Sequence, residues 1–240
     1  TTISALETRQ INSSFGACYY PWVVVRDSEA DVLAMPPSVA AIGALAFSAA
    51  DAGAVWFAPA GFNRGGIKNL GGSPSRTSGL VVTHTIEHLT KDNRDDLYAA
   101  NINPIARFPA TNQIVIFGQK TLQVTPSALD RINVRRLMIY VKREIAKMAA
   151  TLLFDQNVTS TWNKFLSRVN PFLGSVKGRL GLMDFKVVLD STTTTPDLID
   201  RNIMYAKIFL KPAKAVEFIA IDFVVQERQR VFDHLTRWVR

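Results

Sequence analysis

Residues 126–154, PSALDRINVRRLMIYVKREIAKMAATLLF, decide how the rest of the chain is read. Val134, Leu137, Met138, Val141, Ile145, Met148, Ala149 and Leu152 recur at three- and four-residue spacing. That period places them along one face of an α-helix. Arg136, Arg143 and Lys147 fall almost opposite the stripe, while Arg135 and Lys142 flank one of its edges. Start signals precede the run: Thr125 ahead of Pro126, Ser127 with Asp130 in the capping-box position, and Asn133 directly before the repeat. The helix therefore has one side for a core and another carrying a row of cations. That row is either a solvated face, since surface charge contributes little to stability, or a docking surface for an acidic partner.

Downstream of this helix, Thr159 or Ser160 can cap a second one. Its stripe is Trp162, Phe165, Leu166, Val169, Leu173, Val176 and Leu180, with a kink expected at Pro171. Residues 184–190 read as a strand and residues 192–196 as a loop. The clearest alternation follows at 203–211 and 216–225, a pattern for two strands joined as a hairpin. Ile219, Ile221, Phe223 and Val225 share one face of the second strand, and Met204, Ala206, Ile208 and Leu210 one face of the first. Residues 226–240 return to helical spacing.

Upstream, residues 19–26 (YYPWVVVR) read as one strand, and Pro36-Pro37-Ser38 opens a small-residue helix over 39–50. Residues 55–57 read as a second strand, 61–79 as a glycine-rich loop and 80–90 as a further strand. A short polar helix over 91–100, a turn at 101–104 and an apolar strand over 113–117 complete this half. The alternation predicts an α/β fold with mixed sheets flanked by helices. Residues 1–124 form one expected unit. Residues 125–240 form a second, α+β in character, with helices packed on a small sheet.

Composition narrows the class of protein. Of 240 residues, 48% are hydrophobic, which is the content of a folded chain. The net charge of +8 permits nucleic acid, an anionic membrane or an acidic protein surface as partner and selects none of them. Cys18 is the single cysteine, which excludes an internal disulfide framework and a cysteine-based metal cluster. The most apolar stretch, 32–62, is interrupted by Pro36, Pro37, Asp51 and Pro59, so no continuous run is long enough to cross a bilayer. No signal-peptide pattern opens the chain, and a cytosolic or assembled-particle setting is expected. The first residue is Thr1 and not Met, as in a processed product or a piece of something longer.

Chemical motifs are sparse. His84-Thr85-Ile86-Glu87-His88 spells H-x-x-E-H, a zinc-hydrolase pattern that requires a helix to bring both imidazoles to one ion. The surrounding LVVTHTIEHLT is β-rich, and on a strand Glu87 would point away from His84 and His88. A metal-dependent hydrolase built on these three residues is therefore a distant alternative. Residues 61–66 lack both the Gly-Lys-Ser/Thr ending of a P-loop and the G-x-G-x-x-G spacing. Cys18 has no local histidine partner. The basic residues are dispersed without the aromatic interleaving of an RNA-binding surface. Catalytic, metal and cofactor residues are thus expected to be absent.

Several stretches, taken in order, resemble the tail sheath proteins of contractile-tailed bacteriophages. The strongest is 127–145, SALDRINVRRLMIYVKREI. The others are Tyr20-Pro21-Trp22 with Val25-Arg26-Asp27, Pro36-Pro37-Ser38, 55–61 (VWFAPAG) followed by Asn63-Arg64-Gly65, Ile102-Asn103-Pro104-Ile105, and 118–122 (GQKTL). In the second unit 179–188, 196–201 and 211–218 fit the family's C-terminal domain. The resemblance implies a structural, non-enzymatic subunit without cofactors. It implies stacked hexameric rings around a tail tube, with baseplate and tail-terminator proteins as further partners, and neither nucleic-acid binding nor membrane insertion. It places the subunit in the virion tail after assembly in the host cytoplasm, and the C-terminal unit beside the tube. A headless contractile injection device would use the same mechanics. Under the resemblance, Arg135, Arg136, Lys142, Arg143 and Lys147 become candidates for contact with the tube or a sister subunit. Phe218, Ala220, Asp222 and Val224 become a candidate strand edge between subunits.

Overall fold

The computed structural model describes residues 2–26, 31–67 and 81–217. In chain order the elements are α1 (Thr2–Arg9), β1 (Cys18–Tyr20), β2 (Val23–Arg26), β3 (Val32–Met35), α2 (Pro37–Asp51), α3 (Gly61–Arg64), β4 (Val81–Thr85), α4 (Lys91–Ala99), β5 (Ile102–Phe108) and β6 (Gln113–Ile116). They continue with α5 (Ile132–Ala150), α6 (Thr159–Gly178), β7 (Leu182–Val188), α7 (Pro196–Asp200) and β8 (Lys207–Pro212). The strands form three small sheets, ordered β1-β5-β6, β3-β2-β4 and β7-β8. The β1–β5 pair is parallel and the other pairs are antiparallel. This is the mixed α/β architecture expected.

Where local pattern and fold differ, the cause is visible. The run 19–26 serves two sheets: β1 pairs with β5, and β2 lies between β3 and β4. Pro21 stands at the break, because proline has no N–H for a ladder. The turn expected over 101–104 is confined to Asn101, whose φ of +61° closes α4, and β5 starts at the next residue. Residues 55–57 form a turn and not a strand, and Trp56 is only 5% exposed there. The strand expected over 203–211 is β8, and it pairs with β7. Its expected hairpin partner begins irregularly at residues 216–217. The rest of that strand, with Phe218, Ala220, Asp222 and Val224, and the helix over 226–240 lie outside the described residues.

The largest core belongs to α5 and α6. Leu137 and Val141 of α5 meet Phe165, Val169, Leu173 and Val176 of α6, joined by Leu182 and Leu189. Each such side chain contributes about 1.5–3 kcal/mol on burial. Helix α6 runs through Pro171, which lies on its exposed side. Ala54 and Trp56, from the first half of the chain, are part of the same core. Trp56 donates from Nε1 to the Arg179 carbonyl at 2.9 Å, and the Arg179 guanidinium lies 5.2 Å from its ring centroid. A second core gathers Val23, Val25, Ala40, Ala41, Ala44, Ile67, Val82, Ile105, Ile114 and Ile116. Its small residues let α2 lie close to the sheets.

Candidate interaction surfaces

Helix α5 carries the five cations singled out by pattern, and the fold divides them. Arg135 donates to the Ser14 hydroxyl, and its guanidinium lies 4.0 Å from the Phe15 ring centroid. Arg136 is half-buried and donates from Nη2 to the Leu45 carbonyl of α2 at 3.1 Å. Burial lowers its pKa against the opposing pull of Tyr19, while burial pushes the Tyr19 phenol up to about 12. Both arginines therefore brace α5 against its own chain, and Arg136, placed by the helical period opposite the apolar stripe, is half-buried. Lys142, Arg143 and Lys147 remain exposed on the C-terminal half of the helix. Glu144 sits among them, 3.3 Å from Arg143 Nε and 2.9 Å from Lys147 Nζ. The hydrogen bond from Lys147, then that from Arg143, holds its carboxyl below the usual range. Three cations and one carboxylate leave this patch net positive, suited to attracting an acidic surface over a screening length of about 8 Å.

The β7–β8 ribbon offers a different kind of surface. Phe185, Val187, Ile208 and Leu210 point at the α5–α6 core. Met183 and Phe209 are 58% and 57% exposed on the other side. Among the described residues neither strand has a second ladder partner, and a strand edge of this kind can accept one.

The remaining candidates stay apart. His84 lies in β4 opposite Val24, and β4 ends at Thr85, so neither the helix that H-x-x-E-H requires nor a continuous strand to His88 is formed. Glu87 instead accepts from the Tyr20 hydroxyl at 2.5 Å. Among the described residues no three His, Cys, Asp or Glu side chains are grouped to hold a metal. The glycine loop begins with the single helical turn α3, and Gly65 is needed for packing, since a Cβ there would lie 2.6 Å from the Ile116 carbonyl oxygen. Cys18 is half-buried in β1, and burial pushes its thiol up and away from reactivity.

One group escaped the pattern. Glu217 accepts from Arg131 Nε at 2.6 Å, Arg131 Nη2 at 3.0 Å, Tyr98 Oη at 2.9 Å and Gln119 Nε2 at 3.1 Å. Lys120 adds its ammonium 4.4 Å from the Tyr98 ring centroid and donates to the Tyr98 carbonyl at 2.6 Å. In sequence Glu217 is a lone carboxylate at the edge of an apolar run, and nothing local links it to residues 98, 119 or 131.

Helices α5 and α6 pack on the β7–β8 ribbon, and Trp56 joins this part to the mixed α/β half. The chain is 26% identical, with a TM-score of 0.76, to a chain of the sheath complex of an extracellular contractile injection system (PVC) in its contracted state, covering 96% of this chain and 62% of that one. The helical sheath of the anti-feeding prophage in its contracted state shares the fold, with a TM-score of 0.74 and 24% identity over 90% of this chain and 57% of that one. Residues 124–226 match the phage tail sheath C-terminal domain family. The tail sheath protein of Vibrio phage KVP40 is 39% identical over 70% of this chain, and that of Enterobacteria phage T4 is 33% identical over 88%. The chain is thus similar to phage tail sheath proteins, and its residues 124–226 match that family's C-terminal domain. It spans 23% and 30% of the length of those two relatives.

Proposed function

We propose that this chain is part of a structural subunit of a contractile tail sheath. The observation that carries the proposal is the match of residues 124–226 to the sheath C-terminal domain, over the segment holding α5, α6 and the β7–β8 ribbon. The subunit polymerises as stacked hexameric rings around a tail tube and contracts to drive the tube through the host envelope. It is not an enzyme and uses no cofactor; the energy of contraction resides in the difference between two lattices. Its partners are copies of itself, the tube protein, and the baseplate and tail-terminator proteins. It assembles in the host cytoplasm and resides in the virion tail. Residues 1–124 and 125–240 act as the two units of the subunit.

Lys142, Arg143 and Lys147 are the proposed contact with an acidic tube or sister-subunit surface, since they are the exposed part of the α5 row. Arg135 and Arg136 serve that contact only by bracing the helix. Phe218, Ala220, Asp222 and Val224, expected from the sequence to form a strand edge, are proposed to extend the same assembly role. Similarity to the PVC sheath also supports a headless contractile injection device, and capsids attached to the purified particles would separate the two.

Electron microscopy of the assembled protein is the direct test, with striated tubes or contracted sleeves expected. Joint substitution of Lys142, Arg143 and Lys147 by Glu is expected to abolish sheath formation on tubes while leaving the melting temperature within a few degrees of the unaltered protein. Normally sheathed tubes from the triple variant would refute the assigned contact.

A further inference from the structure

Residues 213–217 cross from one half of the chain to the other, and they are fastened at their two ends. At the first end the Ala213 amide donates to the Gly181 carbonyl at 3.2 Å, just before β7. At the second end Glu217 receives its four bonds from Tyr98, Gln119 and Arg131. Between them Lys214, Ala215 and Val216 are exposed, Val216 to 79%, and make no hydrogen bond to a described residue. The strap walls one side of a cleft of about 200 Å³ whose other sides include Ala58, Pro104, Phe117 and Tyr98.

We propose that Glu217 is a latch that closes this strap. Its carboxylate holds residues 213–217 across the cleft and fixes the point on the body at which residues 218–240 begin. The anchoring groups come from three places: Tyr98 from α4, Gln119 from the run after β6, and Arg131 from the residue before α5. Apolar contact alone would not hold the strap, because its middle residues face solvent. A charge-assisted, bidentate guanidinium–carboxylate pair, with its side chains 28% and 17% exposed, is the interaction able to do so. Removing the carboxylate opens the strap without disturbing the α5–α6 core. The latch is independent of the sheath assignment, since it concerns contacts within one chain.

Lys214 makes the state of the strap measurable. Trypsin cuts after lysine unless proline follows, so within the strap it is confined to the Lys214–Ala215 bond; Lys211 precedes Pro212. When opening is fast relative to cleavage, the cleavage rate reports the population of the open form. Cleavage after Lys214 is followed by mass spectrometry, with the bond after Lys164, on the surface of α6, as the internal measure of global unfolding. Glu217→Ala is expected to accelerate cleavage after Lys214 about a hundredfold or more relative to the Lys164 bond, and Tyr98→Phe about tenfold, for loss of one donor to a charged acceptor. If both variants are cut after Lys214 at the rate of the unaltered chain, or if the rate rises only in step with the Lys164 bond, the latch is refuted.

Discussion

Glu217 shows how a single ionisable residue ties acid stability to one contact. Burial favours its neutral form, but the bonds from Arg131 and Tyr98, the Arg131 charge and the bond from Gln119 outweigh burial and depress its pKa below the ordinary 4.5. The groups facing it are Arg131, Tyr98, Gln119 and Lys120, with Asp130 on the far side of Arg131. A depressed carboxylate contributes stability that is fully present above its unfolded pKa and is lost as pH falls through the folded value. The unaltered chain should therefore lose more melting temperature than Glu217→Gln on titration downward from pH 5, and the two should run parallel above it. Parallel curves throughout would show that the carboxylate contributes nothing. At Gly181 the constraint is steric: a Cβ would lie 2.7 Å from Val176 Cγ1 and 3.0 Å from the Trp56 ring. Gly181→Ala should cost about 1–3 kcal/mol in chemical denaturation, the range for overpacking a filled core.

At the scale of elements, α5 is two helices in one. Its first half is cemented to the chain through Arg135 and Arg136, and its second half exposes Lys142, Arg143 and Lys147. Reversing charge at Arg136 places a carboxylate where a half-buried guanidinium meets the Leu45 carbonyl. Arg136→Glu should destabilise by about 3 kcal/mol or more, whereas Lys142→Glu should stay within about 0.5 kcal/mol. Urea denaturation of both distinguishes the bracing cation from the surface one. The apolar stripes of α5 and α6 were legible because a 3.6-residue period is imposed by the helix itself. The partners of Arg135 and Arg136 were not, since Ser14 and Leu45 are brought near by the fold and by no local spacing. The turn at 55–57 departs from its local pattern for the same reason: Val-Trp-Phe has strand character alone, but burial of Trp56 in the core with α6 overrides it.

For the whole molecule, Trp56 decides how the halves behave. It is a residue of the first half seated in the core of the second, with its indole N–H bonded to Arg179 and the Arg179 side chain donating to the Gly53 carbonyl. Trp56→Ala should cost about 3–5 kcal/mol and move the unfolding of both halves together. Two separated calorimetric transitions in the unaltered chain, with only one shifted by the substitution, would show units that fold independently.

By itself the sequence determined the periodic features: two amphipathic helices, the β-rich runs, the α/β class and the ordered motifs of a sheath. These follow from local rules, in which a residue's face is set by its neighbours three, four or two positions away. Only the tertiary structure decided which cations are surface and which are braces, that β8 pairs with β7, and that Glu217 meets Arg131 across 86 residues of chain. Those outcomes depend on contacts between segments far apart in sequence, and no local period encodes them. The helix at 126–154 stands on both sides of that divide, its stripe written in its spacing and the use of its cations written in the fold around it.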